Sequence, residues 1–392
     1  MQPLSKKTSL FTDSMIRGMT RYANQFSAIN LSQGFPEFDP PKEILDRLEQ
    51  VSHENFNQYP IAYGAKNTRE ALAKKQKMFT SLDVNPETEI TITCGGTEAM
   101  AVVMLSIVNK GDKIAMFTPI YENYKTACFL AEAEPVYIPL NPPKYQFNQE
   151  DLENAFKQGL KAIIVCNPSN PSGRVFTFEE MTMIADLAKK YDVYVITDEV
   201  YEHMVYKPNK MVYMSALPDM KERTIVCNSL SKTYAITGWR IGFTIAPKEI
   251  TDTIKKVHNF LTISAPAPLQ EAVTVGLNFG QKYYDDLLEK YSGKRNIICN
   301  GLDDIGIPYC KPEGTYFALM DLKGLVKKTN LSNDFEFAKM VCEKFGVAFV
   351  PAGGFFMDNG ETNGIFRLHF AKNDNTLHEA LNRIANLKEK LK

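Results

Sequence analysis

The sequence lacks the segments that mark secreted and membrane-spanning proteins. The N-terminal stretch MQPLSKKTSLFTDSM contains no apolar run of the roughly 7–15 residues found in signal peptides. No stretch approaches the ~20 consecutive apolar residues of a transmembrane helix. We therefore expect a soluble, cytoplasmic protein that does not bind membranes.

Cysteine and histidine are few and scattered. The 7 cysteines never form a C-x-x-C pair, and the 5 histidines include no H-x-x-x-H pair. These spacings argue against a disulfide framework and a metal site, and they indicate a reducing compartment. We expect the cysteines to be small apolar core residues.

An excess of charge of one sign is also missing. The formal net charge is −1, so the chain has no general attraction for nucleic acid or anionic membranes. No G-x-G-x-x-G follows a predicted strand, which argues against a dinucleotide-dependent dehydrogenase. The partners that remain are small molecules and other copies of the chain.

What the chain does have is a regular alternation of strands and helices. The pattern predicts helices at 97–108, 121–131 and 178–191, and strands at 90–94, 113–117, 135–140, 161–166, 193–197, 224–228 and 240–246. This order is typical of an α/β fold, with a mostly parallel sheet and helices on both faces. Such sheets bind ligands at the carboxyl ends of their strands.

The two chain ends have a different pattern. Near the C-terminus we predict helices at 333–345 and 375–390 and short strands at 315–320, 347–350 and 364–370. The 392 residues exceed the ~250–300 at which a single core stops growing. We therefore predict a large domain at 41–290 and a smaller α+β domain formed by residues 1–40 and 291–392.

Four polar clusters follow predicted strands: C-G-G-T-E-A at 94–99, N-P-S-N-P-S-G at 167–173, T-D-E-V-Y at 197–201 and S-L-S-K-T-Y-A-I-T-G-W-R-I-G at 229–242. Glycines before a helix expose N–H groups that bind phosphate. A lysine near an arginine can have the lowered pKa that a nucleophile needs. The acid suits catalysis, metal binding or helix capping, and the Asn-Pro stretch is also typical of a tight turn.

Together and in this order, the clusters resemble the class I pyridoxal-phosphate aminotransferases of fold type I. The resemblance extends from Leu31-Ser-Gln-Gly-Phe-Pro36 to Arg367, and N-L-S-Q-G-F-P-x-F-D-P-P is similar to the kynurenine, glutamine and methionine aminotransferase branch. It implies pyridoxal 5′-phosphate as cofactor, and transfer of an amino group to a 2-oxo acid in a ping-pong cycle. It also implies cis bonds at Thr118–Pro119 and Asn170–Pro171.

The resemblance implies a role for each matching residue. Lys232 holds the cofactor as a Schiff base and moves a proton, Asp198 pairs with the pyridine nitrogen, and Tyr201 and Asn170 bind the phenolic oxygen. Tyr121 stacks on the cofactor ring. The phosphate is bound by Gly95, Gly96, Thr97, Ser229 and Arg240, and by Tyr59 of a second subunit, which implies a homodimer with shared active sites.

The substrate residues follow in the same way. Arg367 grips the α-carboxylate with two parallel bonds, and Gly34 and Asn170 assist. The side-chain pocket is expected to be apolar, and no arginine is placed for a distal carboxylate, although Arg17 and Arg21 lie near the N-terminus. The pocket residues are Ile16, Phe35, Tyr63 and, from the second subunit, Ile263. This favours methionine, with glutamine, kynurenine or an aromatic amino acid as alternatives; Trp239 is expected to pack in the core.

Two other functions remain compatible with the motifs. A pyridoxal-phosphate cysteine-S-conjugate β-lyase would use the same fold and the same lysine. A non-catalytic sensing module with this fold is the second, although only about 30 residues precede the first motif, too few for a DNA-binding winged helix.

Overall fold

The computed structural model describes residue 2 and residues 4–10, 14–356 and 364–391. Its α-helices are α1 Met15–Gln25, α2 Lys42–Ser52, α3 Lys66–Thr80, α4 Gly96–Ile107, α5 Glu122–Leu130, α6 Gln149–Phe156, α7 Phe178–Lys190, α8 Lys248–Leu261, α9 Ala267–Leu277, α10 Gln281–Ile305, α11 Lys323–Val326, α12 Asp334–Phe345 and α13 Asp374–Lys390. Short 3₁₀ turns occupy Lys6–Leu10, Met214–Ala216, Lys221–Arg223, Thr237–Trp239 and Ala352–Phe355.

The strands are β1 Ile29–Asn30, β2 Ile90–Thr93, β3 Lys113–Thr118, β4 Glu134–Asn141, β5 Gln146–Phe147, β6 Leu160–Cys166, β7 Tyr194–Asp198, β8 Thr224–Ser229, β9 Gly242–Ile245, β10 Tyr309–Cys310, β11 Phe317–Asp321, β12 Val347–Ala348, β13 Val350–Pro351 and β14 Ile365–His369. Eight of them form one sheet in the order β2-β9-β8-β7-β6-β3-β4-β5. Strands β8, β7, β6, β3 and β4 are parallel, and β9 is antiparallel to both its neighbours. The predicted α/β class with a mostly parallel sheet is confirmed.

Both faces of this sheet are buried, because alternate residues of its central strands pack into different cores. Ala115, Ile163 and Val195 belong to a core closed by α6 and α7. Ile164 and Ile196 belong to the core on the opposite face, closed by α4, α5 and α8. Burial on both faces explains why the sequence of these strands is continuously apolar rather than alternating.

The helix α7 begins where the sequence predicts it to begin. Thr177 accepts a bond from the Glu180 N–H while the Glu180 carboxylate accepts one from the Thr177 N–H. This reciprocal cap satisfies two N–H groups that have no partner within the helix.

The chain ends meet around a second, smaller sheet. Strands β10, β11, β14 and β13 form it in that order, all antiparallel. Near the N-terminus, β1 pairs with β12, so the first strand of the chain lies against its last quarter. Helix α10 runs without a break through residues 290 and 291, so the division into 41–290 and the two chain ends stays a prediction.

Candidate active site

The predicted site residues lie along one edge of the large sheet. Strands β2, β3, β6, β7 and β8 all end at this edge, and the antiparallel β9 begins there, since Gly242 pairs with both Thr93 and Ser229. The residues that follow or precede these strand ends are Gly95, Tyr121, Asn170, Tyr201, Lys232 and Arg240. Clusters that are more than a hundred residues apart in the sequence are thus brought to one place.

The start of α4 and Arg240 form a positively polarised corner. Gly95 has a φ of 84°, and a Cβ there would lie only 2.3 Å from Arg240 Nη2, so the position requires glycine. A Cβ on Gly96 would lie 3.4 Å from the Cβ of Ser229. A helix N-terminus, a guanidinium and a serine therefore converge, which is the donor set of a phosphate site.

The Asp198 carboxylate is fixed by two donors. The Tyr124 hydroxyl donates to Oδ2, and the Val200 N–H donates to Oδ1 at 3.2 Å. Burial raises the pKa of Asp198, while these bonds and the charge of Lys232 act in the opposite direction. The two bonds and the charge of Lys232 stabilise the charged carboxylate, but they offset only part of the effect of burial, so the pKa of Asp198 stays above its usual value.

The Tyr121 ring lies edge-on to Tyr124, with ring centroids 5.7 Å apart. Burial raises the pKa of Tyr121 to about 12, so its hydroxyl stays protonated. Asn123 donates to that hydroxyl at 3.0 Å and to Thr97 Oγ1 at 3.3 Å. One amide thus joins Tyr121 to the first turn of α4.

Lys232 reaches across to the N-terminal part of the chain. Its Nζ donates to the carbonyl of Gly34 at 3.1 Å, and the Tyr316 hydroxyl donates to the same oxygen at 2.9 Å. Gly34 has no room for a side chain, since a Cβ would lie 2.7 Å from Phe317 Cζ. Burial raises the pKa of Tyr201, whose ring lies edge-on to Tyr316 at 5.2 Å.

Arg367, on β14, is almost completely buried at 1% exposure. Its Nη1 donates to Asn170 Oδ1 and its Nη2 to the Ser32 carbonyl, both at 2.9 Å. Its guanidinium lies over the Phe317 and Phe355 rings, at 4.3 and 4.8 Å. Burial lowers its pKa to about 10, so it is charged at neutral pH.

The Arg367 Nε is buried without a hydrogen-bond partner among the described residues. A buried donor of this kind costs free energy unless an acceptor arrives. Ile16 packs against the same apolar cluster as Phe355, the residue whose ring contacts the Arg367 guanidinium. An anionic group with an apolar side chain fits these surroundings.

Other predicted residues lie away from this centre within one chain. Tyr59 is 81% exposed and Ile263 is 51% exposed, so both point outward. Tyr63 lies between Arg69 and Lys255, at 4.5 and 3.9 Å from its ring, and donates to Glu87.

Among the remaining predicted residues, Phe35 lies under Lys372, whose Nζ is 4.9 Å from its ring. Trp239 is partly buried against an apolar core, as its expected packing role requires. Arg17 and Arg21 are exposed on α1. The bonds Thr118–Pro119 and Asn170–Pro171 are both cis, as the resemblance implies.

Sequence reasoning missed several residues of the site. Tyr124 holds Asp198, Tyr316 shares the Gly34 carbonyl with Lys232, and Asn123 bridges two predicted residues. Glu122, the first residue of α5, accepts a bond from Ser14 and acts electrostatically on Tyr121 and Arg367. The spacing Tyr121 to Tyr124 is one helical turn and was the available signal.

Three further observations concern metal-ligating side chains, membrane-spanning helices and the cysteines. Among them no group of three His, Cys, Asp or Glu side chains is arranged to hold a metal ion. Over the same ranges, no helix has the length and apolar character needed to cross a membrane. All seven cysteines are free thiols, and four of them are buried.

Residues 27–384 match the family described as aminotransferase class I and II. The methionine aminotransferase of Escherichia coli K12 is 32% identical over 98% of both chains. The kynurenine–oxoglutarate transaminase of Dictyostelium discoideum is 31% identical over 98% of this chain and 96% of its own. This chain belongs to the class I and II aminotransferases.

Solved structures agree with this family. The N-succinyldiaminopimelate aminotransferase of Mycobacterium tuberculosis superposes with a TM-score of 0.92, at 31% identity over 98% of this chain and 100% of that one. An Escherichia coli protein described as having a methionine aminotransferase function also has a TM-score of 0.92, at 32% identity and the same coverage. The fold is that of the fold type I aminotransferases, and the chain is an aminotransferase.

Proposed function

We propose that this aminotransferase binds pyridoxal 5′-phosphate and transfers the α-amino group of an amino acid with a neutral, apolar side chain to a 2-oxo acid. Methionine is the preferred donor, ahead of glutamine, kynurenine and aromatic amino acids. The observation that carries the proposal is the sheet edge where Lys232, Asp198 and the Gly95–Arg240 corner converge, with Arg367 reaching the same place through Asn170.

The residues of this edge fit each part of the cofactor. The N-terminus of α4, Thr97, Ser229 and Arg240 would hold the phosphate with several dipoles and one charge. Asp198 would pair with the pyridine nitrogen, since its two bonds favour the charged form. Tyr121 would stack on the ring, and Tyr201 and Asn170 would donate to the phenolic oxygen.

When bound, the cofactor supplies a conjugated ring that accepts the electrons released at the substrate Cα. Lys232 would hold the cofactor through Nζ and, once the substrate amine has displaced it, would take the proton from the substrate Cα. Arg367 orients the substrate by its α-carboxylate, because a planar guanidinium binds a carboxylate with two parallel bonds. The Gly34 carbonyl steers the Lys232 amine, to which it is already bonded.

The charge near Arg367 supports a neutral substrate side chain. Glu122 is held by Ser14 at the start of α1, next to Ile16, and its negative charge reaches Arg367. A second substrate carboxylate in this region would meet that charge instead of a cation. An apolar side chain would pack beside Ile16 and Phe355 and gain ~25 cal/mol per Å² of surface removed from water.

Relatives named for methionine, kynurenine and N-succinyldiaminopimelate have nearly equal identities of 31–32%. Overall similarity therefore does not rank these donors. The apolar side chains of Ile16 and Phe355 support a donor with an apolar side chain such as methionine, and the Glu122 carboxylate argues against a donor with a further carboxylate near Arg367.

We also propose that the enzyme acts in the cytoplasm as a homodimer with shared active sites. Tyr59, Ile61, Phe260, Leu261 and Ile263 are large apolar side chains with at least half of their surface exposed. Such exposed apolar side chains on one surface mark a contact with another protein. In a dimer, Tyr59 and Ile263 would complete the site of the other subunit.

The test is a panel of amino acids against several 2-oxo acids, ranked by kcat/KM. Methionine should exceed aspartate by at least about 100-fold, because burying a second carboxylate without a partner costs several kcal/mol. Glu122→Gln should narrow this gap in kcat/KM, whereas Glu132→Gln, two residues beyond the C-terminal end of α5 and paired with Lys7, should not.

Comparable values for methionine and aspartate would contradict the assigned substrate class and would make Arg17 and Arg21 the first cations to test. Release of pyruvate and ammonia from a cysteine conjugate without an added 2-oxo acid would instead indicate the β-lyase reaction.

A further inference from the structure

Glu98 and His258 form a buried carboxylate–imidazole pair next to the phosphate corner, which is the proposed phosphate site formed by Gly95, Gly96 and Arg240. Glu98, on α4, accepts bonds from His258 Nδ1 at 2.8 Å, from the Thr262 hydroxyl and from the Cys94 N–H. The other ring nitrogen of His258, Nε2, lies 3.0 Å from the Ala62 carbonyl. His258 has 0% exposure, so both ring contacts are made out of water.

Glu98 is suited to hold three donors at once. Burial raises its pKa, but the bonds from His258, Thr262 and the Cys94 N–H outweigh this and hold the pKa below its usual range. The carboxylate is therefore charged at neutral pH. Charge-assisted bonds of this kind are about twice as strong as neutral ones, so the segments they join are held rigidly.

The pair connects the phosphate corner to the exposed apolar surface. Cys94 directly precedes Gly95, which lies against the Arg240 guanidinium. Ala62 lies between the exposed Tyr59 and Ile61 on one side and Tyr63 on the other. His258 and Thr262 flank the exposed Phe260 and Leu261 at the end of α8.

A second link runs in parallel. The N–H of Ile92, on β2, donates to the Tyr63 carbonyl at 3.0 Å, and β2 leads directly into Cys94. The loop that carries Tyr59 is thus tied to the phosphate corner on both sides of Glu98. These bonds provide a path by which a shift of the corner on binding an anion would be passed to this loop and to the end of α8.

We infer that Glu98 and His258 are positioning residues that couple binding of the cofactor phosphate at Gly95–Gly96 to association with a second copy of this chain through the surface of Tyr59, Ile61, Phe260, Leu261 and Ile263. The inference rests on the proposed function for the cofactor and the partner. Coupling is reciprocal: a cofactor that tightens the dimer is itself bound more tightly by the dimer.

Two substitutions of His258 separate its two contacts. His258→Asn places an amide near the Nδ1 position and keeps the bond to Glu98, while His258→Gln places one near Nε2 and keeps the bond to Ala62. Both should weaken the coupling, because each removes one of the two His258 contacts and leaves the Ile92–Tyr63 bond as the remaining link. Glu98→Gln has nearly the same shape, but it removes the charge and replaces one of the two acceptor oxygens with an NH2 donor. Ile254→Val, one turn earlier on α8 and fully buried, is the control for a general loss of packing.

The measured quantity is the ratio of subunit dissociation constants without and with bound pyridoxal phosphate, obtained by sedimentation of the full-length protein. In the wild type this ratio should lie at about 5–150, the usual range for two coupled sites, and the three variants should reduce it below about 3. Ile254→Val should keep the wild-type ratio even if it lowers the melting temperature as much as the Glu98 and His258 variants do.

An unchanged ratio in Glu98→Gln and both His258 variants would overturn the inference, as would a wild-type ratio near 1. The visible absorbance of the wild type after loading with the cofactor distinguishes a failure of the coupling from a failure of the proposed function. A wild type that binds the cofactor and transaminates, but shows an unchanged ratio in the variants, refutes the coupling alone. A wild type that binds no cofactor refutes both.

Discussion

The two halves of the predicted site differ in how they are built. The half proposed to bind the cofactor is assembled within one chain, where Asp198, Lys232 and Arg367 are each held by hydrogen bonds to neighbours. The other half, with Tyr59 and Ile263, faces outward and is exposed. The residues proposed to hold the cofactor and the α-carboxylate are therefore joined by hydrogen bonds within one chain, whereas the residues proposed to complete the site of a second copy are left exposed.

The largest effect should come from the inner half. Lys232→Ala should reduce transamination by more than about 10³-fold, because the positioned group that moves the Cα proton is lost. The phosphate corner is untouched, so the variant should still bind the cofactor. The check is turnover together with cofactor affinity measured by absorbance, with the exposed Lys248→Ala as control; near wild-type turnover would refute the assigned role.

A charge on the outer half should separate the subunits. Phe260→Asp places a carboxylate on a side chain that is 88% exposed in one chain, and it should weaken self-association by about 100-fold because the charge would be buried in the dimer. Phe178→Asp, also exposed but on α7, should leave association unchanged. Sedimentation measures the self-association of both variants. Equal self-association of the wild type and Phe260→Asp would contradict the proposal that the outer half forms a contact between subunits.

The substrate arginine should show a smaller and uniform effect. Arg367→Lys keeps the charge but loses the two-pronged geometry, and lysine cannot keep the bonds to both Asn170 and Ser32. KM should rise by about 10–100-fold for every amino acid in the panel, since the lost bonds are worth a few kcal/mol or less. A rise confined to one substrate would show that Arg367 binds a side chain rather than the α-carboxylate.

The smallest expected effect concerns Tyr124. Tyr124→Phe removes a donor to the Asp198 carboxylate, which destabilises the charged form and raises its pKa further. As the solution is acidified, the variant should therefore begin to lose cofactor affinity at a higher pH than the wild type does. At neutral pH its cofactor affinity should already be lower by about threefold. Asp198→Asn, which removes the charge outright, should lose more than about tenfold in rate and show no such pH shift.

The sheet and its site edge could be predicted because their signals are local. Each central strand is a short apolar run, so the predicted and observed limits of Lys113–Thr118 and Leu160–Cys166 differ by one residue at most. The polar clusters directly follow these strands, and the ends of parallel strands meet at one edge. The position of each cluster directly after a strand in the sequence was therefore enough to predict where the site lies.

Contacts made across the fold could not be predicted in this way. The bond from Tyr124 to Asp198 depends on how α5 packs against β7, and the Glu98–His258 pair joins residues 160 positions apart. Tyr63 was placed near the substrate, yet within one chain it is held between Arg69 and Lys255. Such cation–ring contacts leave no regular spacing in the sequence.

The most direct test of the account is the position of the covalent bond between the protein and its cofactor. The purified protein, loaded with pyridoxal phosphate, should be yellow, and borohydride should abolish the visible absorbance band. Peptide mapping by mass spectrometry should then find the cofactor fixed to the peptide that contains Lys232. Attachment to another lysine, or to none, would contradict the account.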